Sequence, residues 1–107
     1  MLTLAGWGAT SSTDPVPSTQ LLTGSVEVET VTDAVVGVSG YAPSADTSAC
    51  AYDSGAPYLR ESEWGPQLVS VESGGPDCPH GEEEITTRAD VLLPWLCAEL
   101  AEHQRRG

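Results

Sequence analysis

The sequence predicts an all-β domain closed by one C-terminal helix. Three observations carry that prediction. Short apolar runs, some alternating with polar residues, recur along most of the chain. Clusters of Gly, Pro, Ser and Asp separate these runs and supply turn chemistry. Only the tail, from Pro94 onward, combines good helix formers with a helical apolar stripe. With 107 residues the chain is one small domain or half of a larger one.

Leu2 to Trp7 reads as a short strand that Gly8 ends, and residues 9–20 are a Pro-, Ser- and Thr-rich loop. Leu21 to Val31 is a strand in which Val26 and Val28 alternate with Glu27 and Glu29. Ala34 to Val38 is a further short strand, and residues 39–53 form a Ser-, Ala-, Gly- and Asp-rich surface loop. Pro57 to Leu59 is a strand, with a polar turn from Glu61 to Pro66 after it. Gln67 to Ser73 holds Leu68, Val69 and Val71 and suits a buried strand, broken by Gly74, Gly75 and Pro76. His80 to Glu84 is an acidic loop, and Ile85 to Ala89 is β-prone. In the tail, Pro94 suits a first helical position, and Leu93, Leu96, Leu100 and Ala101 share one face. No internal repeat or domain boundary is visible.

Six Asp and ten Glu face four Arg and no Lys, for a formal charge of −12. That balance argues against nucleic-acid and anionic-membrane partners and favours basic ligands. Most of the acids are expected on a solvated surface. No apolar run reaches the roughly 18 residues of a membrane span. Met1 to Gly8 lacks a basic start and an adequate apolar core, so no signal peptide is expected there. Cys50, Cys78 and Cys97 have no C-x-x-C spacing, and two His do not complete a zinc set. The expectation is no metal and no cofactor. One disulfide plus one free thiol is the simplest arithmetic, and it implies an oxidising compartment.

Chemistry concentrates in Cys50-Ala51-Tyr52-Asp53-Ser54-Gly55-Ala56-Pro57. An Asp-Ser-Gly run suits a hydroxyl nucleophile on a tight turn. Gly55 gives the backbone freedom and Pro57 stiffens the exit. Amide N–H groups around Ser54 can aim at one point where an oxyanion would form. Such triplets also occur in ordinary turns.

Several separated blocks extend this reading. Ala5-Gly6-Trp7-Gly8, the run from Cys50 to Pro57, and Gln67-Leu68-Val69-Ser70-Val71 with Gly74 and Cys78 follow one another. Ile85-Thr86-Thr87-Arg88 and Pro94-Trp95-Leu96 close the series. In this order and spacing the chain resembles the C-terminal half of chymotrypsin-like (trypsin-family) serine proteases. The resemblance implies a six-stranded antiparallel Greek-key barrel, the second of two, with a C-terminal helix over residues of 1–107. It makes Ser54 the nucleophile, Asp53 its supporting neighbour, and the Tyr52 and Ser54 N–H groups the oxyanion hole. It pairs Cys50 with Cys78 and leaves Cys97 free. It assigns the substrate pocket to Ser48 at its base, Ala49 beside it, Gly74 and Glu84 on its walls, and Glu72 along the cleft. Ser48 at the base suits aromatic side chains, and a Glu84 carboxylate either admits a basic one or fills the pocket.

The departures from the family are specific. Its His and Asp lie in a first barrel, expected to be absent here because Met1 stands four residues before the first block. His80 and His103 are expected to be solvated surface residues. Tyr52 and Ala56 replace Gly, Glu72 replaces Ser, and Val38 stands near a family Cys. Asp53 pairs in the family with a freed N-terminus of the first barrel, so here it is expected to face solvent or to be raised in pKa by desolvation. The implied function is a secreted serine endopeptidase acting on peptide or protein substrates, inactive alone and completed by a complementary first-barrel chain. The alternative is a non-catalytic pseudoprotease or binding module.

Overall fold

The computed structural model describes residues 1–106. Six strands form, β1 (Leu2–Gly6), β2 (Leu22–Val31), β3 (Val35–Ala42), β4 (Pro57–Ser62), β5 (Gly65–Gly74) and β6 (Glu84–Arg88). A 3₁₀ turn, Asp90–Leu92, leads into the helix α1, Leu93–Arg106. Strands β1-β2-β3 and β4-β5-β6 are two antiparallel meanders. Pairing of β1 with β4 and of β3 with β6 closes them into a barrel of order β1-β2-β3-β6-β5-β4. The expected closed antiparallel barrel with one C-terminal helix is therefore the fold.

The core is small and made by alternation. Leu2 and Leu4 of β1, Val26 of β2, Val36 and Val38 of β3 and Tyr58 of β4 point inward with Ala49. Val38, placed near a family Cys, is instead one of the most buried side chains. Val28 does not continue the inward face as expected: it is exposed, because β2 outruns the core and bulges against β3 between Val28 and Thr30.

Strands β3, β4 and β5 run longer than their sequence signals, and β6 is shifted by one residue. β3 extends to Ala42, so Ser39 and Gly40 belong to a strand and not to the loop. The backbone of Gly40 pairs with Val26, and a Cβ at Gly40 would strike backbone atoms of Ala45 and Thr47 within 2.7 Å. Composition here reports a close backbone approach, not a loop. β6 begins one residue early, at Glu84, which carries a carboxylate into the interior. That shift shapes the site below.

Candidate active site

Strand β4 starts directly after the Asp-Ser-Gly turn, and β5 runs antiparallel beside it. Backbone bonds stitch the turn to β5: Gly55 N–H donates to Glu72 O at 3.1 Å, and Glu72 N–H donates to Ala56 O at 2.9 Å. Within the turn, Asp53 N–H donates to Cys50 O and Ala56 N–H to Asp53 O. Gly55 sits at φ +81°, where glycine carries no Cβ penalty. Ser54 is exposed.

Two amides of the turn are left over. Among the described residues neither Tyr52 N–H nor Ser54 N–H donates a hydrogen bond. Free backbone donors flanking an exposed hydroxyl are suited to a developing negative charge. Tyr52 itself has φ +73°, a left-handed conformation that costs a non-glycine residue about 1–2 kcal/mol. Its side chain points into solvent.

Asp53 corrects one expectation. It does not face solvent: it is buried, with Oδ1 accepting from Gly8 N–H at 2.9 Å and Oδ2 from Cys50 N–H at 3.0 Å. Two amides satisfy its oxygens, so burial needs no cation beside it. Arg60 and Arg88 are engaged elsewhere, with Gln67 and with Asp90 and Thr32. Cys50 is bonded to Cys78 with a Cα separation of 5.4 Å, and Cys97 is free and exposed. The turn is thus anchored from below by Asp53 and from the side by the disulfide.

Of the residues that the resemblance assigns to a substrate pocket, Ala49, Glu72 and Glu84 are buried. Ser48 is half-buried, and its Oγ accepts from the backbone N–H of His80 at 3.2 Å. Ala49 is buried. Gly74 opens onto free space, whereas a Cβ on Gly75 would collide with the Glu84 carboxylate. Glu84 is buried, while Glu82 and Glu83 remain in solvent. Its side chain therefore fills the space beside Gly75.

His80 corrects a second expectation. It is buried to 8 % exposure, and its Nε2 lies 2.5 Å from Glu84 Oε1. Its Nδ1 is buried with no partner among the described residues. The Cys50–Cys78 disulfide holds the start of this loop, and the backbone N–H of His80 donates to Ser48 Oγ. His103, by contrast, is exposed as expected.

Glu72 completes the cluster and is also turned inward. Tyr58 Oη donates to Glu72 Oε1 at 2.7 Å, and the buried Glu84 carboxyl is near enough to act on Glu72. A neighbouring carboxyl disfavours the charged form of Glu72. Desolvation first, then Glu84, pushes Glu72 up to about 8, against a smaller lowering by Tyr58. Desolvation, then the Glu72 bond, raises Tyr58 as well.

Sequence reasoning singled out neither Tyr58 nor His80 as site residues. The signals were faint: Tyr58 directly follows the Pro that opens β4, and His80 stands four residues before Glu84. Whether either side chain turns inward depends on the barrel closing.

An exposed Ser on a disulfide-braced, amide-lined turn beside a closed six-stranded barrel is the arrangement of a serine-protease-like domain. The family model for trypsin matches residues 1–96, most of the chain, and the chain belongs to the trypsin family. No curated relative matches it at a significant level. Family and disulfide together fit an extracellular setting.

Proposed function

We propose that this chain is the second-barrel half of a trypsin-family serine endopeptidase that needs a complementary first barrel for turnover. The observation that carries the reading is the pair of unspent amides, Tyr52 N–H and Ser54 N–H, flanking the exposed Ser54. In this reading Ser54 Oγ attacks the scissile carbonyl of a peptide, and the two amides receive the oxyanion. Asp53 holds the turn and does not touch substrate. A Ser hydroxyl is a weak nucleophile without a base. His80 is committed to Glu84, and Ser54 Oγ makes no hydrogen bond among the described residues. The base and its orienting Asp are therefore assigned to a first-barrel partner. Without them turnover falls by about a million-fold, by analogy with triad removal on another fold.

One observation favours a second reading, a non-catalytic binding module: the buried Glu84 side chain fills the space beside Gly75, on the wall that the resemblance assigns to a substrate pocket. Fluorophosphonate labelling separates the two. The isolated chain should label negligibly. Co-expression with a first barrel from a related protease should bring labelling and peptide turnover, both abolished by Ser54→Ala. No labelling in a complex shown to form would leave the binding-module reading. Turnover by the isolated chain, lost in Ser54→Ala, would refute the need for a partner.

A further inference from the structure

We propose that Glu72 is a positioning residue for the Ser54 turn and works as a pH-operated latch: its uncharged carboxyl seats the end of β5 in the barrel, and loss of that proton lets the end of β5 and the turn open together.

The backbone of Glu72 makes the connection. Its carbonyl accepts from Gly55 N–H and its N–H donates to Ala56 O, so the two residues that follow Ser54 both bond to Glu72. Strand β4 pairs with β5 only as far as Pro57 opposite Val71. Beyond that rung the turn replaces β4 as the neighbour of β5. On the other side, the β5–β6 register shifts between Glu72 and Gly74. Ser73, Gly74 and Gly75 are exposed. The end of β5 can therefore lift away with the turn while the remaining rungs of the barrel stay paired.

The Glu72 side chain decides whether it does. It is buried in the barrel interior together with Glu84. Tyr58 of β4 donates to Glu72 Oε1, and Thr86 of β6 stands opposite Glu72. His80 bonds Glu84 through Nε2, and Asp53 of the turn adds its charge to the field at Glu72. The β3 residue paired with Glu84 is Val38, which carries no charge. No Lys or Arg answers these carboxyls. The chain has no Lys, and Arg60 and Arg88 are engaged with Gln67 and Asp90. A neutral Glu72 fits this interior. A charged one beside Glu84 does not, and gains by reaching water.

Protons set the direction. Seated, Glu72 keeps its proton up to about pH 8; lifted into water, it releases it near 4.5. Between these values the closed turn binds one more proton than the open turn. The ratio of open to closed therefore rises about tenfold per pH unit and levels off above about pH 8. Across the window the change is on the order of a thousandfold. A rise in pH then disperses the Tyr52 and Ser54 amides, which bears on catalysis only under the endopeptidase reading above.

Hydrogen exchange of the full chain, read amide by amide by NMR with the disulfide intact, tests the latch without any first barrel. After correction for intrinsic rates, protection of the Gly55 and Glu72 amides should fall about tenfold per pH unit and level off near pH 8. It should also stay below the protection of the β2–β3 ladder, which opens with the whole barrel. In Glu72→Gln the turn's protection should be flat with pH. Glu84→Gln, which removes the neighbouring carboxyl, should move the levelling point to lower pH. Protection indifferent to pH in the parent chain overturns the proposal. The same fall in Glu72→Gln overturns it too, by placing the titrating group elsewhere. So does turn protection equal to that of the β2–β3 ladder at every pH, which would leave Glu72 a role in global stability alone.

Discussion

The buried carboxyl pair predicts an unusual pH dependence of stability. Glu72 keeps its proton in the folded chain up to about pH 8, whereas the unfolded chain releases it near 4.5. Between those values the folded state binds more protons, so stability falls as pH rises. The contribution is complete below pH 4.5 and lost above pH 8. Each pKa unit corresponds to about 1.4 kcal/mol, so the loss across the window is on the order of 5 kcal/mol. That is a large share of the margin of a small domain. Glu72→Gln keeps an acceptor for Tyr58 but has no proton to release. It should match the parent chain near pH 4.5 and exceed it by a few kcal/mol near pH 8. Urea unfolding followed by Trp fluorescence, with the disulfide intact, measures both at half-unit pH steps. Parallel pH profiles for the two proteins would show that Glu72 does not hold its proton in the folded chain. A parent chain whose stability rises from pH 5 to 8 would refute the reasoning outright.

Other perturbations test the turn. Tyr52→Gly should remove left-handed strain and raise the urea midpoint by the equivalent of about 1 kcal/mol, without changing the slope. An unchanged or lowered midpoint would mean that the φ +73° conformation is not costly. Asp53→Asn leaves one oxygen for the Gly8 and Cys50 amides and should cost about 1–3 kcal/mol. A neutral result in unfolding experiments would contradict the anchoring role. Replacing Cys50 and Cys78 together by Ser removes a cross-link across 28 residues and should lower stability by about 3–4 kcal/mol by loop entropy. A thermal midpoint equal to that of the parent would exclude it.

What local pattern encodes was legible in the sequence. The turns, five of the six strands within two or three residues of their ends, and the tail helix follow from Gly and Pro placement and from apolar periodicity, all short-range properties. The Cys50–Cys78 pairing and the Asp-Ser-Gly turn followed from a resemblance spread over the whole chain, and the trypsin-family match agrees with it. The strand β3 was legible only to Val38, because Ser39 and Gly40 have loop composition and become strand by pairing with β2. The direction of the polar side chains was decided by closure of the barrel. Glu72, opposite Thr86 in the β5–β6 register, and Tyr58, opposite Ser70, turn to one interior only once β4, β5 and β6 are aligned. Glu84 follows two acids that stay in solvent, and nothing in that run of three tells which one is taken inside. His80 is buried because a disulfide 28 residues long in sequence brings its loop under Ser48. A charge in water and a charge inside a hydrogen-bonded cluster are written with the same letter. Only the long-range contacts supply the partners that make burial of that charge affordable.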